Sequence, residues 1–287
     1  LSVMGSTELF SQLGHLKKAF DLFKKKLAQD RPDLIILVDF PGFNLKAAQY
    51  AKERYNIKTM YFIPPKVWAW KPGRIKKIRQ FVDHTALILP FEEKLYKKKK
   101  IACTYVGNPL IDHYPEALLS DSNSRAAASS DRKKMVIGLL PGSRKMEVSS
   151  LGPIMAASAE HIIKELPETR FIISKSDAIN DACFNAAFKS VLASDHVKIF
   201  KGPVKDLFLQ CDITIAASGT VTLEAALATV PTIIVYRFSR ISYFIARLLV
   251  QVRYAGLPNL IVDAEVMPEL LQYEATPDKI SRRAVQM

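Results

Sequence analysis

The stretch MVIGLLPGSR, residues 135–144, decides how this chain folds. An apolar run of strand length is broken by Pro141-Gly142-Ser143, a lone Arg144 follows, and a long segment with helical spacing comes next. A continuous apolar run reads as a strand buried on both faces, the habit of parallel sheets covered by helices. The turn then sets helix N–H groups and a guanidinium at the strand's carboxyl end, where open α/β sheets bind ligands.

The same alternation continues on both sides. Downstream come TRFIIS, a helix around INDACFNAAFKSVL, VKIF, VKDLFLQ, DITIAAS, TVTLEAALA and PTIIVY. Upstream, residues 9–29 place Leu9, Leu13, Leu16, Phe20 and Phe23 at helical spacing, and four further apolar strands alternate with helices from PDLIILVDF to IACTYVG. Residues 116–133 (EALLSDSNSRAAASSDRK) change abruptly to Ser, Ala, Asp and Asn and read as a linker. The expectation is an α/β protein of two domains, 1–115 and 134–262, each with a parallel sheet.

Bulk composition agrees. At 287 residues, 49% hydrophobic and 24% charged, the chain is globular and long enough for two cores. Three scattered cysteines without a C-x-x-C pair argue for a reducing compartment and against a disulfide scaffold or zinc site, and the five histidines are equally dispersed, so no metal is expected; no cofactor is expected either. A net charge of +13 calls for an anionic partner: nucleic acid, a membrane face or a phosphorylated substrate. The opening Leu1-Ser2-Val3 runs into mixed polar sequence, so no secretory signal is expected there, and a start on Leu rather than Met points to a trimmed chain.

Two turns carry candidate chemistry. In the first, Gly142 permits close backbone approach, the helix start offers N–H groups, and Arg144 can fork two phosphate oxygens; the bland alternative is a plain turn with Ser143 as N-cap. The second, Ser218-Gly219-Thr220, lies between DITIAA and VTLEAALA, with Glu224 one turn on, placed to accept from ribose hydroxyls or to serve as an ordinary first-turn glutamate. Neither is a G-x-G-x-x-G or Walker loop, yet together they suit a nucleoside diphosphate. In the first half, Asp39 ends an apolar strand as a candidate general base, with Asn44 placed to cap the next helix. Trp68 and Trp70, two residues apart between prolines and next to basic residues, read either as a surface that stacks on a sugar or wedges into an acyl layer, or as a packed loop anchor. Phe238, Ile241, Phe244 and Leu248 share a helical face that suits either an anionic membrane interface or another domain.

Here the sequence resembles the bacterial lipid-A-disaccharide synthase family. The matching segments, in order, are Asp39-Phe-Pro-Gly-Phe-Asn44, Pro65-Lys-Val-Trp-Ala-Trp70 with Arg74, Leu89-Pro-Phe-Glu92, Val106-Gly107, Leu140-Pro-Gly-Ser-Arg144 with Glu147-Val148, Ala217-Ser-Gly-Thr220 with Leu223-Glu224, and Leu257-Pro-Asn259-Leu260. Two positions depart from the family pattern: Gly42, where aspartate is frequent, and Lys66, where serine is frequent.

The resemblance implies a GT-B fold, two Rossmann-like domains facing across a cleft. It implies inverting, metal-independent transfer of 2,3-diacylglucosamine from UDP to 2,3-diacylglucosamine 1-phosphate. It also implies peripheral association with the cytoplasmic face of the inner membrane of a Gram-negative cell, and is compatible with a homodimer. Asp39 and Arg144 fall on catalytic positions; Gly142, Ser143, Ser218, Gly219, Thr220, Glu224 and Asn259 fall on the UDP-sugar side; Asn44, Trp68, Trp70 and Arg74 fall on the acceptor side. Family members begin with a further strand and a G-E-x-S-G-D turn and continue past residue 287. The expectation is therefore a chain lacking that first strand, with 263–287 beginning the closing helices, and catalytically incomplete. The rival readings are another GT-B-like UDP-sugar enzyme, such as a UDP-N-acetylglucosamine epimerase, and a basic nucleic-acid-binding module. The second is disfavoured by scattered lysines and the lack of a nucleic-acid motif, so no nucleic-acid partner is expected.

Overall fold

A computed structural model describes residues 6–68, 72–114, 134–237 and 253–287, with side chains described from Gly14 onward. Two compact units divide between Pro109 and Leu110. The expected linker at 116–133, Trp70, and the apolar face of Phe238, Ile241, Phe244 and Leu248 lie outside the described residues.

The first unit opens with helix α1 (Ser6–Asp30) and holds four parallel strands in the order β1 (Leu34–Val38), β2 (Lys58–Phe62), β3 (His84–Leu87) and β4 (Cys103–Tyr105). Helices α2 (Pro41–Tyr55), α3 (Arg74–Phe81) and α4 (Pro90–Lys98) make the crossovers. Leu37, Tyr61 and Leu87 stand at every second position of three neighbouring strands and meet Ala47, Ala48, Ile78 and Tyr96 in one core. Phe20 of α1 packs edge-on against Phe43 and Tyr50 of α2, at 5.6 and 6.1 Å between ring centroids. The other face of β1 is different. Leu34, Ile36 and Val38 are 49%, 56% and 52% exposed, so a strand whose composition promises two buried faces has one of them uncovered among the described residues.

The second unit contains β5 (Val136–Leu140), α5 (Lys145–Glu165), β6 (Arg170–Ser174), α6 (Asp181–Phe188), β7 (Val197–Phe200), α7 (Val204–Phe208), β8 (Ile213–Ala217), α8 (Thr220–Leu227), β9 (Thr232–Tyr236), α9 (Leu257–Val262), β10 (Glu269–Leu271) and α10 (Pro277–Val285). Its six strands are parallel, in the order β10-β9-β8-β5-β6-β7. From β5 the chain winds outward through β6 and β7, then returns to the other side of β5 for β8, β9 and β10. The strand order therefore reverses between β5 and β8, the position where doubly wound sheets open a ligand crevice.

Period-two alternation supplies both cores. Ile137, Leu139, Ile213, Ile215 and Val235 face a cluster with Leu151 and Met155 of α5 and Ile280 of α10. Leu140, Ala216 and Ile234 face the opposite cluster with Phe208 of α7 and Ala225 of α8. Within 263–287, β10 pairs with β9, and α10 lies on α5 with Ile280 and Ala284 fully buried. A three-residue strand is too short for its alternation to be read from sequence.

Candidate functional site

The two candidate turns rise from adjacent strands. Leu140 and Ala216 are register partners in β5 and β8, so their strands run about 4.8 Å apart. Gly142 adopts φ +101°, and a Cβ there would run into the Glu147 side chain. Only glycine satisfies both demands. Arg144, rather than Ser143, is the N-cap residue of α5, in extended conformation and without a side-chain cap. Glu147, one turn on, accepts the Arg144 backbone N–H at 3.3 Å and holds Nη1 of its guanidinium at 3.3 Å. The Arg144 side chain is 80% exposed, so this pair is worth about 1 kcal/mol at most and can be surrendered to a stronger anion.

The second turn is held from behind. Ser218 donates its N–H to Val235 O at 3.0 Å and its hydroxyl to Ala255 O at 2.9 Å. No atom lies within 4 Å of where a Cβ on Gly219 would stand, so the backbone there is open. α8 starts at Thr220 without a side-chain cap, because its N-cap residue is Gly219, while the Thr222 hydroxyl donates to Gly219 O at 2.8 Å. Its first-turn N–H groups thus lack a side-chain acceptor, the arrangement that favours a bound anion. Glu224 sits one turn along, half-buried, and Oε2 accepts the Tyr114 hydroxyl at 3.1 Å. Burial pushes its carboxyl above the usual range, against the Tyr114 hydrogen bond and nearby His113. Tyr236 ends β9, on the far side of β8. Burial raises its phenol, Glu147 adds to the rise and Arg144 opposes it, so the Arg144–Glu147 pair acts across the end of β8.

Asn259, expected on the UDP-sugar side, is 0% exposed and its amide is fully engaged. Nδ2 donates to Met267 O at 2.7 Å and Glu269 Oε1 at 2.8 Å, while Oδ1 accepts the N–H groups of Val266 and Met267, both at 2.9 Å. Nothing is left to offer a sugar. Glu269 in turn accepts the N–H groups of Ala255 at 2.8 Å and Gly256 at 2.9 Å. Asn259 therefore frames the loop whose Ala255 carbonyl receives Ser218.

In the first unit, β1 ends in strained backbone. Asp39 and Phe40 both take left-handed conformations, at φ 45° and 38°, a cost that persists where surroundings over-determine it. Those surroundings are visible. Asn44 Nδ2 donates to Val38 O at 2.9 Å and Asp39 O at 2.7 Å, and the Tyr61 hydroxyl donates to Asp39 O at 2.7 Å. Asn44 is thus not the cap of α2, which starts on Phe40; it clamps the strand end instead. The Asp39 side chain is exposed, and among the described residues no donor binds its carboxylate. Tyr61 is raised by burial first and then by Asp39, and drawn back by Arg74 and Asn44, which places these groups in one electrostatic neighbourhood.

Trp68 takes the anchoring role. Its Nε1 donates to Glu92 Oε1 at 2.8 Å, and its ring meets Phe91 edge-on at 5.0 Å. Glu92 is 2% exposed, and burial lifts its carboxyl despite Trp68 and the Leu89 N–H. Sequence reading missed Tyr114, Glu269 and Tyr61 as partners of site residues, since each lies outside the motif of its partner, at separations of 110, 10 and 22 positions. A groove of about 360 Å³ between α5 and α6 includes Lys145, Ser149, Asn180 and Cys183. It lies on the β6 side of β5, away from the Ser218–Thr220 turn. Among the described residues no helix is long and apolar enough to cross a membrane, and no three His, Cys, Asp or Glu side chains group as metal ligands.

Comparison with known proteins follows from this geometry. The family model described as lipid-A-disaccharide synthetase matches residues 1–287. The lipid-A-disaccharide synthase of Geobacter metallireducens is 36% identical over 281 residues, covering 98% of this chain and 72% of that protein. That of Coxiella burnetii is 34% identical over 289 residues, covering 100% and 74%. Among solved structures, a UDP-N-acetylglucosamine 2-epimerase described as putative, from Listeria monocytogenes, superimposes with TM-score 0.62 at 10% identity, over 94% of this chain and 70% of that one. The Methanocaldococcus jannaschii UDP-GlcNAc 2-epimerase, solved with UDP-GlcNAc and UDP, gives 0.58 at 14% identity, over 95% and 73%. At such identities the structures carry the fold alone: two parallel-sheet α/β units of the GT-B kind.

Proposed function

The chain belongs to the lipid-A-disaccharide synthase family, and on that premise we propose the reaction and the residues that perform it. It is a UDP-sugar-dependent glycosyltransferase of lipid A biosynthesis. The donor is UDP-2,3-diacylglucosamine, the acceptor 2,3-diacylglucosamine 1-phosphate, and the product their β-1',6-linked disaccharide 1-phosphate.

The acceptor 6-hydroxyl oxygen attacks the donor anomeric carbon from the face opposite UDP. The new C–O bond forms as the bond to the β-phosphate oxygen breaks, inverting the centre, and the electron pair leaves with UDP. Asp39 takes the hydroxyl proton. Charge gathering on the diphosphate is met by Arg144 and by the first-turn N–H groups of α5 and α8, fixed dipoles that need no rearrangement during reaction. Glu224 accepts from the ribose hydroxyls. The observation that carries this reading is the pair of helix starts on adjacent strands at the sheet's reversal point, one bearing Arg144 over Glu147 and the other without a side-chain cap and followed by Glu224.

The lipid side rests on charge. Residues 1–109 hold lysine and arginine in more than twofold excess over aspartate and glutamate, so nearly all of the net +13 belongs to the first unit. Such a unit is drawn to anionic lipid, which supports peripheral association with the cytoplasmic face of the inner membrane. The test is direct: incubate the chain with both substrates and follow disaccharide phosphate and UDP by mass. Stoichiometric appearance of both supports the proposal. Epimerised UDP-sugar, or UDP released without disaccharide, refutes it.

A further inference from the structure

Tyr114 has no place in the reaction just described, yet its hydroxyl ends on one of the groups proposed to bind UDP. The residue follows a 3-10 turn at Pro109–His113 and lies 110 positions from Glu224 in sequence. Its ring is 4% exposed, packed in the cluster that contains Leu140, Ala216 and Ala225. Those neighbours belong to β5, β8 and α8, the same elements that carry the two turns. The phenol is therefore fixed by the frame of the site, and only its oxygen meets a polar group: Glu224 Oε2, at 3.1 Å.

We propose that Tyr114 is a positioning residue that orients the Glu224 carboxylate and thereby sets selectivity for a ribose diol in the nucleotide. The inference rests on the reading of Glu224 as the ribose partner and names what makes that partner selective. A free glutamate side chain samples many rotamers, and a diol needs both carboxylate oxygens presented together. With Oε2 held by the phenol, the carboxylate loses rotational freedom, and no bond to Oε1 is seen among the described residues. Burial keeps the phenol protonated and hence a donor, raising it well above its ordinary value, and the Glu224 charge raises it further.

The experiment measures binding of UDP and of 2'-deoxy-UDP to the full chain and to Tyr114→Phe, Glu224→Gln and the double variant. Wild type is expected to prefer UDP. Tyr114→Phe keeps the ring and its packing, loses one charge-assisted hydrogen bond, and is expected to weaken UDP about tenfold while affecting 2'-deoxy-UDP much less. The preference for the ribonucleotide then shrinks. In the Glu224→Gln background, adding Tyr114→Phe is expected to change UDP affinity less than threefold, because the oriented charge is already gone.

Equal weakening of UDP and 2'-deoxy-UDP by Tyr114→Phe would mean a merely structural tyrosine and overturns the inference. So would an undiminished effect in the Glu224→Gln background. Failure of the wild-type chain to bind UDP, or an undiminished ribonucleotide preference in Glu224→Gln, instead removes the reading of Glu224 beneath it. The two failures are thus told apart.

Discussion

Replacing Asn259 by alanine separates a residue that holds the site from one that touches the ligand. The amide makes four hydrogen bonds inside a fully buried environment, to Met267 O, Glu269 Oε1, and the N–H groups of Val266 and Met267. Alanine removes all four and leaves their partners facing a hole. At about 1 kcal/mol net per bond the loss is about 4 kcal/mol, smaller where water enters the hole and larger where the orphaned groups stay dry. For a unit of this size, each kcal/mol moves the melting temperature by about 2–4 °C, so a fall of roughly 10 °C is expected. Thermal and urea unfolding of the variant read this directly, with UDP affinity measured well below the lowered transition. Asn259→Asp sharpens the test. Aspartate still accepts the two N–H groups but sets a carboxylate against Glu269 and the Met267 carbonyl, and burial beside like charge raises its pKa. The penalty is then present above that raised pKa and relieved as pH falls through it, so Asn259→Asp is expected to regain stability relative to wild type on mild acidification. A melting temperature within a degree or two of wild type, combined with collapsed UDP affinity in Asn259→Ala, would refute the reasoning and return Asn259 to the ligand.

Arg144→Ala is expected to lower turnover about 100- to 1000-fold, the cost of removing one preorganised donor to developing charge, with little change in melting temperature because the side chain is 80% exposed. Single-turnover rates with saturating donor check it, and an unchanged rate removes the role. Asp39→Asn is expected to leave UDP affinity intact and to cut turnover at least 100-fold, since Asn tolerates the left-handed backbone at that position but cannot take a proton. Full-speed turnover by that variant would exclude Asp39 as the base.

The alternation of apolar runs with helical spacing made both sheets legible, because strands buried on two faces are near-continuous in Val, Ile and Leu. β5 and β8 are the clearest cases, with ITIAA buried at every position. The short edge strand β10 was not legible, because Glu269-Leu-Leu271 has no period to detect and its glutamate points to a loop. The site divided in the same way. Turn residues such as Gly142 announce themselves through local chemistry, since only glycine meets a positive φ beside a packed side chain. Asn259 could not be assigned from sequence: an asparagine in a Leu-Pro-Asn turn has the same appearance whether its amide faces solvent or backbone. Asn44 was read as an acceptor for helix N–H groups and proved a donor to strand carbonyls, because Phe40 and Pro41 had already begun the helix.

A common construction underlies these cases. Four groups assigned to the substrate side stand in front of a second group that holds them: Glu147 beneath Arg144, the Ala255 carbonyl behind Ser218, Tyr114 behind Glu224, and Tyr61 with Asn44 behind the Asp39 backbone. Ala255 is itself held through its N–H by Glu269 and, through Glu269, by Asn259. The backing groups include charged and hydrogen-bonded side chains taken from other elements, often far away in sequence. Their effect is to lower the reorganisation that binding and reaction would otherwise require, which is how fixed dipoles outperform mobile ones. Substitutions in this second layer should therefore damage nucleotide recognition without any contact to nucleotide, and should do so in pairs that are non-additive with the residue in front. Substitutions on the outward faces of the same helices, such as the exposed lysines of α4, have no such partner to disturb and should be neutral for chemistry, altering only how the basic first unit meets an anionic surface.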